Sequence, residues 1–278
     1  MTNMKHSLFI FCLLIVSNAA LTTPPTPLDA IVIEGNLVDA AINAADHYKN
    51  DTRQVVLFHS CNIQHAMGGA AGAIKKAMPA AGVADDNTPK NDGNYLGGGS
   101  IAQVTTPSGN PFLVVNLYTQ RYPGSVSNAA NHKALIDKSL DNLVTQFPKD
   151  KYILVYPQFS SAIAGRDWTK DILPLVNKHL SLYERHQVNW NNSTSTQELE
   201  GKPLGSFKIG DPIPKIPRSK RSIDISMTPR SLESTKQVEE KWYQTKTTKV
   251  VGGVAAVAVI VSAVGLAISK YKKKQNTR

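Results

Sequence analysis

The fold of this chain is decided by the stretch Gln54-Val-Val-Leu-Phe-His-Ser-Cys-Asn62, in which a continuous apolar run ends in polar residues. The run has the length of a strand and shows no alternation, which is typical of a strand buried on both faces in the middle of a sheet. Tyr152-Ile-Leu-Val-Tyr156 repeats this pattern later in the chain. Two such strands favour an α/β domain with a mostly parallel central sheet.

Segments with helical periodicity alternate with the strand candidates. Apolar residues fall on one helical face in three predicted helices, which lie at residues 38–45, 135–147 and 167–182. Further strand candidates lie at residues 30–34, 101–105 and 112–117. The alternation predicts a three-layer α/β domain over residues 28–185, with helices on both faces of the sheet.

The first twenty residues are typical of a secretory signal peptide. Lys5 and His6 precede a short apolar core at residues 8–16, and small residues follow at Ala19 and Ala20. The core is too short to span a bilayer comfortably, so we predict cleavage near Ala19 or Ala20. The alternative is an uncleaved anchor.

An uncharged apolar run near the other end of the chain is bounded by lysines. Its length matches the roughly 20 residues with which a helix crosses hydrocarbon, so residues 250–269 are predicted to form one transmembrane helix. Small residues such as Gly252 and Gly253 would allow self-association of this helix. The basic tail, residues 270–278, should stay cytoplasmic, which would make the folded domain extracytoplasmic: periplasmic, lumenal or at the cell surface.

The basic excess lies outside the predicted domain. Residues 28–185 carry 14 basic and 14 acidic side chains, whereas residues 186–278 carry 16 basic and 7 acidic ones. Residues 186–249 are polar, contain several prolines and show little periodicity, which predicts a linker or stalk. The charge therefore suits an anionic membrane surface, and a neutral domain predicts no nucleic-acid partner.

Two loops rich in small residues follow the two buried strands. Met67-Gly-Gly-Ala-Ala-Gly-Ala-Ile74 leads into a helix, and Tyr156-Pro-Gln-Phe-Ser-Ser-Ala-Ile-Ala-Gly-Arg-Asp-Trp168 has the same order of strand, loop and helix. Small residues let backbone amides approach a diphosphate, and the start of a helix favours its negative charge. The alternative is ordinary close packing of a helix on a sheet.

The order of these segments resembles the macrodomain family, and most closely its branch of fungal ADP-ribose-1''-phosphate phosphatases. The resemblance covers about residues 28–182. Four pieces carry it in order: Ile33-Glu-Gly-Asn-Leu37, Phe58-His-Ser-Cys-Asn62, Gly68-Gly-Ala-Ala-Gly-Ala-Ile74 and Pro157-Gln-Phe-Ser-Ser-Ala-Ile-Ala-Gly-Arg-Asp-Trp168. It implies a macrodomain fold that binds ADP-ribose or an ADP-ribosylated molecule.

The resemblance also implies ligand-binding residues. Asn36 stands where most macrodomains carry an aspartate that accepts a hydrogen bond from the adenine amino group, and Asn62 matches the asparagine that contacts the distal ribose. The first loop is matched by Gly68, Gly69 and Ala70, and the phosphate loop by Ser160, Ser161, Ala162, Ile163, Ala164 and Gly165. Ser160 and Ala162 replace usual glycines, and their Cβ atoms intrude where backbone should approach phosphate.

His59 and Asp167 are the catalytic candidates. The resemblance places a histidine at position 59, which could protonate a leaving ribose oxygen or orient a water if its pKa lies near neutrality. Its alternative role is that of a hydrogen-bonded core histidine. Asp167 would act as a base or position a water, or it would only cap the last helix. His65 is a third choice. No metal-ligand spacing is present, so no metal and no cofactor is predicted.

Three functions remain open at this point. The first is a membrane-anchored ADP-ribose-binding macrodomain with weak hydrolase activity on ADP-ribose-1''-phosphate or protein-linked ADP-ribose. The second is a binding module without turnover, and the third is a surface-exposed interaction protein with a degenerate macrodomain. The substituted glycines favour the second and third, whereas His59 and Asn62 favour the first.

Overall fold

Strands alternate with helices in the computed structural model, which describes residues 26–124, 126–160, 164–193 and 195–217. The strands are β1 (Ile31–Gly35), β2 (Gln54–Asn62), β3 (Gly99–Thr105), β4 (Pro111–Gln120), β5 (Tyr152–Pro157), β6 (Arg185–Trp190) and β7 (Gly201–Phe207). The α-helices are α1 (Leu37–His47), α2 (Gly69–Ala77), α3 (Pro79–Asp86), α4 (Ala129–Gln146) and α5 (Leu173–Leu180). A 3₁₀ turn lies at Gly93–Tyr95 and a π turn at Trp168–Ile172.

The seven strands form one sheet in the order β1-β6-β5-β2-β4-β3-β7. From β1 to β4 all neighbouring strands are parallel, whereas β3 runs antiparallel to both β4 and β7. The predicted mostly parallel sheet is therefore confirmed. Since β2 lies in the middle of the sheet and is covered on both faces, its residues form a continuous apolar run rather than an alternating one.

Side chains that alternate along β2 enter two separate hydrophobic cores. Val55 and Leu57 pack with residues of α1, α2 and α3 on one face of the sheet. Val56 and Phe58 pack with residues of α4 and α5 on the other face. Because successive side chains of a strand point to opposite faces, the two cores place helices on both sides of the sheet. The predicted three-layer α/β arrangement is thus confirmed.

The sheet also extends beyond residue 185, where the sequence predicted a linker over residues 186–249. That prediction was wrong for β6, which pairs with β1 and β5, and for β7, which pairs with β3. β6 shows no apolar pattern because it buries polar side chains that have partners: Arg185, for example, donates to Asn177 Oδ1 at 3.0 Å. β7 lies at the sheet edge and contains the glycines and proline that usually indicate a loop.

The predicted membrane-related segments lie outside the described residues. These are the signal peptide (1–20), the transmembrane helix (250–269) and the basic tail (270–278), together with the predicted linker after residue 217. Within the described ranges, no helix combines the length and apolarity that a membrane crossing requires.

Candidate functional site

A cleft of about 290 Å³ opens at the carboxyl ends of the parallel strands. Its walls come from the ends of β2, β4, β5 and β6 and from the loops that follow them. Ligands of open α/β sheets bind at this edge because the loops after neighbouring parallel strands converge there. None of the described residues that line the cleft carries a carboxylate, an ammonium or a guanidinium group.

The first wall of the cleft is the loop after β2 together with the first turn of α2. The Asn62 side chain organises this loop: its Oδ1 accepts from the backbone N–H of Gln64 at 3.1 Å and of Ala66 at 3.3 Å, and its Nδ2 donates to the Ala66 carbonyl at 2.9 Å. Gly68 precedes α2 without a side-chain cap, and Gly69 has a φ of 55°, which favours glycine. The first amides of α2 are therefore left for a ligand.

The predicted ligand residues of this wall come together in the structure. Asn62, Gly68, Gly69 and Ala70 all line the cleft. Asn62 is 6% exposed, and its hydrogen-bonding atoms are engaged by the loop. Its side chain therefore acts here chiefly by shaping the backbone, in addition to any contact with a ligand.

The opposite wall is the loop after β5. Of the predicted phosphate loop, Ser160 and Ala164 line the cleft. Gly165 is exposed and does not line the cleft, and Ser161, Ala162 and Ile163 lie outside the described residues. Ser160 has a φ of 58°, a left-handed conformation for which glycine is better suited.

A chain of three hydroxyl groups crosses the base of the cleft. The Ser160 Oγ donates to the Ser60 Oγ at 3.1 Å, and Ser60 is in turn hydrogen-bonded to the Thr119 hydroxyl. Ser60 and Ser160 line the cleft and belong to different walls. The chain thus joins the loop after β5 to β2 and β4, and it presents rotatable donors and acceptors to a polar ligand.

His59 lines the cleft at its base and is a buried histidine with a defined partner. Its Nε2 lies 2.7 Å from the Asn116 Oδ1. The Asn116 Nδ2 donates to the Ala81 carbonyl at 2.8 Å, so the Asn116 Oδ1 must accept, and His59 carries its proton on Nε2. Burial lowers the pKa of His59 from 6.5 to about 4. The neutral imidazole is therefore the favoured form of His59 at physiological pH.

Asn36 and Asp167 do not line the cleft. The Asn36 Oδ1 accepts from the Val38 N–H at 2.8 Å and caps α1, while its Nδ2 donates to the Ser193 carbonyl at 2.9 Å. The exposed Asp167 accepts from the Lys170 N–H at 2.9 Å and caps the π turn. Both side chains have capping roles at helix starts, where such residues are preferred.

The sequence reasoning missed cleft residues on β6 and after β4. Trp190 and Asn192 line the cleft, although they fall in the segment predicted to be a linker, and Gln120 and Gly124 contribute from the end of β4 and the loop that follows it. Trp190 is half-buried, and its Nε1 donates to the Ser193 carbonyl at 2.9 Å. An aromatic residue followed by Asn-Asn was the available signal that this segment belongs to a site.

Solved structures similar to the chain include macrodomains. No protein-family model matches the sequence, and no curated protein matches it. The macrodomain of Mycobacterium tuberculosis DarG shares 19% identity over 58% of this chain and 98% of that chain, with a TM-score of 0.43. The macrodomain of Thermus aquaticus DarG shares 17% identity over 58% of this chain and 96% of that chain, with a TM-score of 0.40. Thermosipho africanus DarTG in complex with ADP-ribose shares 17% identity over 50% of this chain and 38% of that chain, with a TM-score of 0.37.

Proposed function

We propose that this chain is a macrodomain that binds ADP-ribose or an ADP-ribosylated molecule in the cleft described above. The observation that carries the proposal is the pair of small-residue loops that face each other across the cleft, one leading into α2 and the other following β5. Backbone amides of such loops can hold a diphosphate without a charged side chain. An uncharged cleft with an uncapped helix start fits that mode of binding.

The remaining walls suit the sugar and base portions of such a ligand. The hydroxyl pair Ser60 and Ser160 offers donors and acceptors to ribose hydroxyls. Trp190 supplies an aromatic surface at the β6 side of the cleft, against which a base can stack. Asn36 and Ser193 lie on the same edge of the sheet. The Asn36 Oδ1 already accepts hydrogen bonds from the Val38 and Asp39 N–H groups, so a hydrogen bond from an adenine amino group would be its third.

Binding without turnover is favoured over hydrolysis. His59 is held as a neutral donor to Asn116, and Asp167 caps a turn outside the cleft. None of the described residues that line the cleft is a carboxylate, and burial keeps the His59 imidazole neutral. A general acid for hydrolysis of ADP-ribose-1''-phosphate or protein-linked ADP-ribose therefore has no evident source among them. The fungal phosphatase branch is therefore a less suitable parallel than a binding macrodomain.

A membrane anchor is the second part of the proposal. The apolar run at residues 250–269 and the basic tail at 270–278 support one C-terminal transmembrane helix, with the cleft on the extracytoplasmic side. Protease treatment of sealed membranes that contain the full-length chain tests this arrangement. Digestion of the domain from the outside is expected, whereas its protection together with an accessible tail would contradict it.

A matched pair of variants tests the cleft. Ala70 and Ala73 both lie on α2, but only Ala70 lines the cleft. In calorimetric titrations of the full-length chain with ADP-ribose, Ala70→Phe should weaken binding at least about tenfold because the ring would occupy the ligand volume. Ala73→Phe should bind like the wild type. Equal binding by both variants would place the ligand elsewhere.

A further inference from the structure

The structure brings His65, Asp85 and Asp86 together although they are far apart in sequence. His65 lies on the loop after β2, and the two aspartates close the last turn of α3. One ring nitrogen of His65 and one carboxylate oxygen of each aspartate all lie within 4.8 Å of one another. Each of these atoms is a good metal ligand, and an imidazole beside two carboxylates is a common combination in metal sites.

Two of the three side chains carry buried polar atoms that have no partner among the described residues. Asp85 is fully buried; its Oδ1 accepts from the Tyr118 hydroxyl at 2.8 Å, but its Oδ2 has no hydrogen bond. The His65 Nε2 is also buried and without a partner. Buried polar atoms are nearly always hydrogen-bonded or bound to an ion, so these two atoms point to a site that can bind a cation.

The electrostatic environment of Asp85 is consistent with a cation. Asp85 is fully buried, and a carboxylate removed from water is costly to ionise. The ammonium group of Lys75 forms an ion pair with the exposed Asp86, at 3.1 Å, and not with Asp85. A positive charge beside the Asp85 Oδ2 would offset the cost of burying the carboxylate.

We propose that His65, Asp85 and Asp86 bind a divalent transition-metal ion of the Zn²⁺ type. Nitrogen together with two oxygens is a donor set for zinc, whereas Mg²⁺ and Ca²⁺ prefer oxygen alone. Three protein ligands and a water complete a tetrahedron. Ligand atoms around zinc lie about 3.4 Å apart at bond lengths of about 2.1 Å, so the three side chains would close by up to about 1.4 Å on binding.

The loop that carries His65 is the element that the proposed metal ion would join to α3. His65 itself has a φ of 60° and is only partly buried, and its neighbours Gln64 and Ala66 are tied to Asn62. A metal ion would therefore fasten this loop, which forms one wall of the cleft, to α3. Sequence reasoning predicted no metal because the ligands have no motif spacing; tertiary packing of the loop on α3 creates the group.

Calorimetric titration with Zn²⁺ alone tests the proposal. The full-length chain, treated with EDTA and desalted, is titrated at about pH 7.5 with Zn²⁺ and, separately, with Mg²⁺. We expect one Zn²⁺ per chain and no Mg²⁺ binding. His65→Ala and Asp85→Asn should each weaken Zn²⁺ binding at least about tenfold. Asp85→Asn keeps an oxygen for the Tyr118 hydroxyl, so its fold should be retained.

A histidine outside the group provides the matched control. His47→Ala removes an exposed histidine of α1 and should bind Zn²⁺ like the wild type. Visible absorption of bound Co²⁺ gives a second readout, present in the wild type and in His47→Ala and lost in His65→Ala, with circular dichroism as the check on folding. Absence of Zn²⁺ binding to the wild type, or equal binding by the wild type and His65→Ala, would overturn the proposal. Equal binding of Mg²⁺ would also overturn it.

Discussion

Replacement of His59 by glutamine is predicted to remove part of the acid sensitivity of the folded chain. Burial lowers the pKa of His59 from 6.5 in the unfolded chain to about 4 in the folded one. Between these pH values the unfolded chain binds the additional proton, so stability rises with pH there. The part of the free energy of unfolding that depends on a neutral His59 is fully present above pH 6.5 and is lost as pH falls to about 4. At about 1.36 kcal/mol for each pKa unit, it amounts to about 3 kcal/mol.

Urea unfolding of the full-length chain, followed by tryptophan fluorescence, measures this contribution. The free energy of unfolding of the wild type should fall by about 3 kcal/mol more than that of His59→Gln over this pH interval. Glutamine keeps an N–H group for the Asn116 Oδ1, so the variant should fold. Burial also lowers the pKa of His132 to about 4, but that contribution is common to both proteins and cancels in the difference.

If His59→Gln and the wild type lost stability in parallel, the buried neutral state of His59 would be refuted. A histidine that titrates near 6.5 in the folded chain would again be available as a general acid, and the hydrolase interpretation would return.

Three further substitutions test the loop, the edge strand and the cap. Asn62→Ala should lower the free energy of unfolding by about 2 kcal/mol, since three hydrogen bonds to the loop are lost; an unchanged urea midpoint would contradict this. Gly98→Ala should cost more than about 3 kcal/mol, because its Cβ would lie 2.1 Å from the Phe207 carbonyl oxygen of β7; a stable variant would mean that β7 does not pair as described. Asp167→Ala should cost about 1 kcal/mol as a lost cap and leave ADP-ribose binding unchanged, and weaker binding would restore a site role.

The central strands and the helices α1, α4 and α5 could be predicted because their patterns follow directly from burial, whereas α3 was not predicted. β2 and β5 are apolar throughout since both of their faces are covered, and the stripe of α4 reflects one buried side. The two small-residue loops could be located for the same reason, since they follow these strands. Asn62, Gly68 and Ser160, which the sequence analysis named as ligand-binding residues, line the cleft.

The rest of the site depends on partners that periodicity does not reveal. β6 buries Arg185 and His186, whose side chains hydrogen-bond to residues of other elements, such as Leu28 and Tyr48. The sequence does not show these partners, so the strand looked like a linker. The sequence could not decide whether His59 is catalytic or structural, because Asn116, the residue that fixes its proton, lies on β4. Asp85 meets His65 only through the packing of α3 beside the loop after β2.

Titration of the full-length chain with ADP-ribose and, in parallel, with ADP tests the central claim most directly. In this account the cleft holds the diphosphate between two loops and places hydroxyl groups beside the distal ribose. It should therefore bind ADP-ribose in the micromolar range, which corresponds to a binding free energy of about 8 kcal/mol. Its affinity for ADP, which lacks the distal ribose, should be clearly lower. Equal affinity for the two ligands, or no detectable heat with ADP-ribose, would contradict the account.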